Sequence, residues 1–286
     1  MRVETLAETL LFCTVRITAT SAAGGSVGTG FVFGYESEAI GEGKAAFFMV
    51  TNKHVIRGAS GGSFVFTKAD EEGNPLLGQE LPIGISQFED YWHGHPNDDV
   101  DIAVMHLNPI NETVKDAGER TFVRPMGKHH IATPQQINDL DAIEEVMLIG
   151  YPDGLYDPVN LTPIVRRGST ATPLQLDYGG EPAFLVDASV FPGSSGSPVL
   201  IANFPTYMNR RTGEVFVGGS RTMFLGILSS GFFIEENGQI EKRAIPAAKE
   251  ELVVRTEQMI DLGFVFKAST VVETIEDLFD KSSVPH

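Results

Sequence analysis

Three polar segments, each beside an apolar run, follow one another in the order histidine, aspartate, serine. His54 comes shortly after the apolar run 47–51, Asp101 directly precedes the apolar run 102–104, and Ser195 lies in a glycine- and serine-rich segment. A serine hydroxyl is a weak nucleophile at neutral pH and needs a base whose pKa is near 7, which histidine supplies. A carboxylate fixes the tautomer of that histidine and stabilises its protonated form. The pattern therefore predicts nucleophilic catalysis by Ser195, with His54 as the base.

The segment Gly193-Ser194-Ser195-Gly196-Ser197-Pro198 provides a second requirement of this chemistry. A glycine-rich turn aims backbone N–H groups at one point, because glycine adopts backbone angles that other residues avoid. The amides of Gly193 and Ser195 are therefore the expected donors to a tetrahedral oxyanion. Asp98 and Asp99 lie close to Asp101, which is preferred as the acid because it directly precedes the apolar run.

Two other kinds of active site fit the sequence less well. An α/β-hydrolase needs Gly-x-Ser-x-Gly and the chain order serine, acid, histidine, and this sequence has neither. A metal site is conceivable in two polar histidine-containing segments, but side chains in such segments are more often solvated. These segments contain His93, His95, Asp98 and Asp99, and His129 and His130. We expect no metal and no cofactor.

The composition excludes several classes of partner. The 286 residues include 38 acidic and 21 basic ones, for a formal charge of −17, and no run of Lys or Arg provides the basic surface that nucleic acids need. No apolar stretch reaches the ~18 residues of a membrane-spanning helix. Glu4 and Glu8 interrupt the N-terminal apolar residues, unlike a signal peptide. Cys13 is the single cysteine, which favours a reducing compartment and a cytoplasmic location.

Short β-type runs separated by Gly, Pro, Asn and Asp dominate the chain and predict an all-β fold. The runs cover 12–18, 31–33, 47–51, 63–67, 102–107, 146–149, 164–167, 183–186, 199–200, 224–228 and 264–267. Helical periodicity is confined to the ends, at 4–10 and at the stripe Val271, Ile275 and Leu278. The polar segment 126–142 is the expected connection between an N-terminal unit, 1–125, and a C-terminal unit, 143–286.

These motifs together resemble the trypsin-like serine peptidases, especially the disulfide-free bacterial branch that includes the HtrA proteases. The resemblance rests on Gly28-Thr29-Gly30-Phe31-Val32, Thr51-Asn52-Lys53-His54-Val55, Asp101-Ile102-Ala103-Val104, the serine segment, Leu225-Gly226-Ile227-Leu228-Ser229-Ser230-Gly231 and Gly263-Phe264-Val265-Phe266. It implies two six-stranded antiparallel β-barrels packed around a central cleft, with a C-terminal helix. His54 and Asp101 would come from the first barrel and Ser195 from the second. We expect no PDZ domain.

The resemblance also implies a substrate pocket beside the nucleophile, lined by Ser189, Val190, Phe191, Ser229, Ser230 and Gly231. Trypsin has a carboxylate at the position of Ser189, so this pocket is expected to prefer uncharged, apolar side chains over Lys or Arg. An acid of the following segment, Glu235, Glu236 or Glu241, would invert that preference if it entered the pocket. Trypsin also has an Asp at the position of Ser194, so activation by N-terminal cleavage is not expected.

The resulting interpretation is a serine endopeptidase that hydrolyses peptide bonds through an acyl-enzyme intermediate. Its expected substrate is a protein or peptide, and a regulatory protein is a second candidate partner. The alternative is a catalytically silent or latent trypsin-like fold that serves as a protein-binding module. An intact histidine, aspartate and serine, together with Gly193, favours the enzyme.

Overall fold

Alternating and β-branched runs form strands along most of the chain, as predicted. The computed structural model describes residues 2–22, 24–37, 40–41, 43–209, 211–240 and 252–282, with side chains described for all of these except 233–240, 252–259 and 282. The α-helices of this part are α1 (Leu6–Leu10), α2 (Lys53–Ile56), α3 (Asn108–Asp116), α4 (Pro134–Asp139) and α5 (Ser269–Ser282). Among these helices, none is both long and apolar enough to cross a lipid bilayer.

The strands of the first half of the chain form one sheet, in the order β5-β4-β1-β2-β3-β7-β6. Two short strands add to it: β8 pairs with β4, and β9 pairs in parallel with β2. The bounds are β1 (Thr14–Ser21), β2 (Gly24–Tyr35), β3 (Ala46–Thr51), β4 (Ala59–Ala69), β5 (Pro75–Ser86), β6 (His93–Gly94), β7 (Ala103–His106), β8 (Thr121–Phe122) and β9 (Met126–Gly127).

This sheet does not close into the first of the two predicted barrels. In the described residues its two ends, β5 and β6, pair only with β4 and β7, respectively. Pro75 and Pro82 in β5 have no N–H to donate, which is typical of an edge strand. Since β6 has only two residues, it also offers little backbone for pairing. The first half is therefore an open sheet, where a closed six-stranded barrel had been expected.

The second half does form the predicted six-stranded antiparallel barrel, in the order β10-β11-β12-β17-β16-β13. Pairing of Met147 with Leu200 and of Leu148 with Val199 closes it. A separate hairpin, β14–β15, stands outside it. The bounds are β10 (Glu145–Gly150), β11 (Ile164–Thr170), β12 (Ala183–Asp187), β13 (Pro198–Asn203), β14 (Thr206–Met208), β15 (Val215–Val217), β16 (Arg221–Ile240) and β17 (Leu252–Lys267).

A shared hydrophobic core joins the sheet to the barrel. Phe31 and Phe33 of β2 lie 5.3 and 6.4 Å from Phe224 of β16, measured between ring centroids, and all three are fully buried. Helix α5, predicted from its apolar stripe, adds Val271 and Ile275 to the same core. Since β9 pairs with β2, the predicted connection 126–142 begins within the first sheet. The domain boundaries themselves stay a prediction.

Two histidines of the conceivable metal site instead attach helix α5 to the first sheet. His93 Nε2 lies 2.7 Å from Asp277 Oδ2, and His95 Nε2 lies 3.2 Å from Glu273 Oε2. The rings of His129 and His130 contact each other at a tilt of 42°, with centroids 3.9 Å apart. Within the described residues, no three His, Cys, Asp or Glu side chains are grouped as metal ligands.

Candidate active site

The position of His54 follows from the short helix α2, which begins two residues after β3 ends. Val55 and Ile56 of this helix are buried in the core of the first sheet. One turn of helix cannot bury adjacent side chains all round, so His54 points away from that core. Its side chain is 43% exposed. Local packing of two apolar residues therefore orients the imidazole.

Asp101 holds His54 by two hydrogen bonds. His54 Nδ1 lies 2.5 Å from Asp101 Oδ2, and the backbone N–H of His54 donates to Asp101 Oδ1 at 3.0 Å. Asn52 Nδ2 donates to the backbone carbonyl of Asp101 at 2.7 Å. The side chains of Asp98 and Asp99 are exposed and make no contact with His54 among the described hydrogen bonds. The pairing leaves His54 Nε2 without a partner in the described part of the chain.

The environment of Asp101 favours its ionised form. Burial raises the pKa of this carboxyl, but hydrogen bonds from His54 and Ser229 outweigh burial and hold the pKa below its usual range. The Ser229 hydroxyl donates to Asp101 Oδ2 at 2.7 Å. A carboxylate at this point stabilises an imidazolium on His54, which is what a general base needs after it takes a proton.

The turn around Ser195 depends on two glycines in the left-handed region. Gly193 has φ +81° and Gly196 has φ +88°, angles that strain any residue with a side chain. The carbonyl of Ser195 accepts the backbone N–H of Thr29 at 2.9 Å. In the described part of the chain, neither the amide of Gly193 nor that of Ser195 donates a hydrogen bond, so both are available to an oxyanion.

Ser195 does not contact His54 through a hydrogen bond in the described structure. Its hydroxyl donates to the backbone carbonyl of Ser229 at 3.0 Å. The Ser229 hydroxyl is hydrogen-bonded to Asp101. Ser229 therefore links Ser195 to Asp101, with its carbonyl oxygen on one side and its hydroxyl on the other. One chain of hydrogen bonds therefore connects the three predicted residues, with the serine hydroxyl directed towards β16.

Two residues expected to line the substrate pocket, Val190 and Gly231, pack directly against each other. Val190 is 5% exposed and occupies the gap between two glycines: a Cβ on Gly231 would lie 3.3 Å from Val190 Cγ1, and one on Gly263 would lie 2.9 Å from Val190 Cγ2. Of the other predicted lining residues, Ser189, Phe191 and Ser230 are exposed, whereas Ser229 is buried. The side chains of Glu235, Glu236 and Glu241 lie outside the described residues.

Thr29 is a site residue that sequence reasoning did not single out. Its hydroxyl donates to the carbonyl of Gly193 at 2.9 Å and accepts the backbone N–H of Tyr151 at 3.1 Å. These bonds fasten the turn around Ser195 to strand β2 of the first sheet. The sequence offered one signal, a threonine between two glycines in 28–30, but its partners lie more than a hundred residues away.

The sequence comparison agrees with this architecture. The family of trypsin-like peptidase domains matches residues 28–203, which is more than half of the chain and includes His54, Asp101 and Ser195. The chain belongs to this family, whose domain is that of serine proteases. No curated protein gives a significant match to the sequence.

Solved structures of bacterial proteases are similar to the chain at low identity. The inactive form of Rv3671c from M. tuberculosis, a serine-to-alanine mutant, is 16% identical with a TM-score of 0.45, over 98% of this chain and 92% of that one. The serine endoprotease from Yersinia pestis is 18% identical with a TM-score of 0.47, over 95% of this chain and 64% of that one. This chain therefore spans less than two thirds of the Yersinia protein.

Proposed function

We propose that the protein is a serine endopeptidase that uses His54, Asp101 and Ser195 as its catalytic triad. The observation that carries the proposal is the double hydrogen bond between His54 and Asp101, at 2.5 and 3.0 Å. It fixes the imidazole with Nδ1 towards the carboxylate and leaves Nε2 free to accept a proton. A histidine with only a structural role would not need two hydrogen bonds to one carboxylate. Nor would it need a nearby serine that is flanked by two glycines with left-handed backbone angles.

The proposed reaction proceeds in two halves. Ser195 Oγ attacks the carbonyl carbon of the scissile peptide bond while His54 Nε2 takes the hydroxyl proton. The amides of Gly193 and Ser195 stabilise the oxyanion, and His54 returns the proton to the leaving amine. Water then attacks the acyl-enzyme with His54 again as the base, which releases the acid product and restores Ser195.

Cys13 is the other residue type able to serve as a nucleophile, and its surroundings argue against that role. The thiol is fully buried, and burial raises its pKa to about 12. A thiol with so high a pKa carries almost no thiolate at neutral pH. Ser195 is therefore the proposed nucleophile. A cytoplasmic location, which rests on the single cysteine, stays a prediction.

A latent trypsin-like fold is the second candidate, and two observations favour it. Ser195 Oγ is hydrogen-bonded to Ser229 rather than to His54, and Val190 is buried against Gly231, another residue expected to line the pocket. A protein held in this state would bind a partner without cleaving it, or would become active once a regulatory protein rearranged the segment 189–195. Membership of the peptidase family implies protein substrates for an active enzyme.

Labelling with a fluorophosphonate separates the two candidates. This reagent reacts with a serine only when a base and an oxyanion site activate it. We expect the purified full chain to label, and Ser195→Ala to lose the label while its thermal unfolding stays unchanged. A wild-type chain that is folded but does not label, alone or with peptide substrate present, would support the latent fold.

A further inference from the structure

Arg166 of β11 is a half-buried cation with no acidic partner among the described residues. Its guanidinium donates one hydrogen bond, from Nη1 to the backbone carbonyl of Ser189. The Nε and Nη2 atoms are buried and have no hydrogen-bond partner, and no acid of the described residues forms an ion pair with Arg166. Burial lowers the pKa of the guanidinium. An unpaired buried charge is unfavourable, so this arrangement calls for an anion that completes it.

Strand pairing directs Arg166 towards residues expected to line the substrate pocket. In the antiparallel pair of β10 and β11, Arg166 lies opposite Leu148. Opposite residues of an antiparallel pair direct their side chains to the same face. Leu148 belongs to the same buried cluster as Val190, and Arg166 Nη1 donates to the carbonyl of Ser189, the residue before Val190. Arg166 therefore faces the cluster of Val190, which occupies the gap beside Gly231.

The same gap lies next to Ser195. The segment 189–192 leads directly into the turn of Gly193, and the other wall begins at Ser229, whose carbonyl accepts the Ser195 hydroxyl. Consider a peptide substrate whose scissile carbonyl accepts from the amides of Gly193 and Ser195. The side chain of the substrate residue just before the scissile bond then lies at the mouth of this gap. A carboxylate that enters the gap and displaces Val190 meets the two unpaired donor groups of the guanidinium.

We propose that Arg166 makes this peptidase selective for an acidic residue, Asp or Glu, immediately before the scissile bond. The inference rests on the proposed function. The planar guanidinium offers two donors that a carboxylate accepts together, which an amide cannot match. It also repels Lys and Arg. The sequence-based expectation of a preference for apolar side chains rested on Ser189 and did not take Arg166 into account. The sequence does not show that this residue of another strand lies near the pocket.

The test compares peptides that differ at one residue. The purified full chain is given internally quenched peptides with Glu, Gln, Leu or Lys before the scissile bond, and cleavage positions are read by mass spectrometry. We expect kcat/KM for Glu to exceed that for Gln by about tenfold or more. Arg166→Gln should remove this difference while cleavage after Gln continues. Arg167→Gln is the matched control, since it removes the same charge from an exposed neighbour and should keep the difference.

Each outcome decides a separate question. Hydrolysis by the wild type with equal or lower kcat/KM for Glu than for Gln overturns this inference alone, without need of any variant. Absence of both hydrolysis and fluorophosphonate labelling overturns the proposed function, and this inference with it. Should Arg166→Gln not fold, as thermal unfolding would reveal, Arg166→Lys replaces it: the charge remains but the paired donors are lost, so the Glu preference should shrink without disappearing.

Discussion

The hydroxyl of Ser195 donates to the carbonyl of Ser229 at 3.0 Å, and the hydroxyl of Ser229 donates to Asp101 at 2.7 Å. For the proposed attack, Ser195 Oγ must exchange this acceptor for His54 Nε2. The exchange requires rotation about one side-chain bond, between staggered rotamers. Because a neutral hydrogen bond contributes only about 1 kcal/mol net, substrate binding can readily shift the hydroxyl.

The two adjacent serines should differ completely in their effect on activity. Ser195→Ala is expected to abolish peptide hydrolysis, with a loss of about 10⁶-fold in kcat, because it removes the nucleophile. Ser194 is fully buried and its hydroxyl has no partner, so Ser194→Ala should stay active with an equal or higher melting temperature. Steady-state hydrolysis and thermal unfolding of both variants measure this. If Ser195→Ala stayed active and Ser194→Ala lost activity, the assignment of Ser195 as the nucleophile would be wrong.

Asp101→Asn should lower kcat by about 10⁴-fold at neutral pH, the effect of this change in trypsin-like proteases. An amide in place of the carboxylate lets His54 bind in the wrong tautomer and cannot stabilise its protonated form. Asp98→Asn and Asp99→Asn remove the same charge from exposed neighbours and should leave kcat nearly unchanged. The assignment fails if either neighbour is essential while Asp101→Asn retains full activity.

The lowered pKa of Asp101 predicts how stability depends on pH. Burial raises this pKa, but hydrogen bonds from His54 and Ser229 lower it by more than burial raises it. The Asp101 carboxylate therefore binds a proton less tightly in the folded chain than in the unfolded chain. The stabilisation is therefore complete above the ordinary Asp pKa of about 3.9 and is lost as pH falls through the lowered value. Urea unfolding should show the wild type losing stability faster than Asp101→Asn below about pH 4. If the stability of the wild type and of Asp101→Asn changed with pH in the same way, the lowered pKa of Asp101 would be refuted.

Thr29 should be needed for the geometry of the oxyanion site. Thr29→Val keeps the shape but leaves the carbonyl of Gly193 and the amide of Tyr151 without partners. We expect kcat to fall about ten- to a hundredfold, because the Gly193 amide is then held less firmly. Thr29→Ser retains the hydroxyl and should restore most of kcat. Equal impairment in the serine and valine variants would assign the effect to packing instead.

Gly196→Ala should disrupt the turn that carries Ser195. A Cβ at this position would lie 1.8 Å from the carbonyl oxygen of Thr29, and the left-handed φ of +88° adds strain of about 1–2 kcal/mol. Gly213→Ala is the matched control, since Gly213 has a similar φ of +75° with no atom within 4 Å. We expect a larger drop in melting temperature in Gly196→Ala than in Gly213→Ala, with loss of fluorophosphonate labelling only in the former. Equal drops would mean that backbone strain alone matters.

The sequence by itself predicted many of the strands and helix α5. These features follow from the spacing of apolar residues along a single segment, which burial on one face of a strand or helix imposes. The closed second barrel was predicted only through the family resemblance. The sequence also determined the order of His54, Asp101 and Ser195, because the residue types around each are local motifs. The prediction of a closed first barrel was wrong, because closure of a sheet depends on how its two edge strands meet. Pro75 and Pro82 are informative about closure only once β5 is known to be an edge strand.

Only the tertiary structure decided how the segments meet. Thr29 bonds to Gly193, 164 residues away, and the Ser195 hydroxyl contacts Ser229 rather than His54. The sequence likewise did not distinguish half-buried Arg166 from its exposed neighbour Arg167, because charge and residue type are identical. Contacts between distant segments depend on strand register and packing of the whole molecule, and neither is encoded in any one stretch of residues.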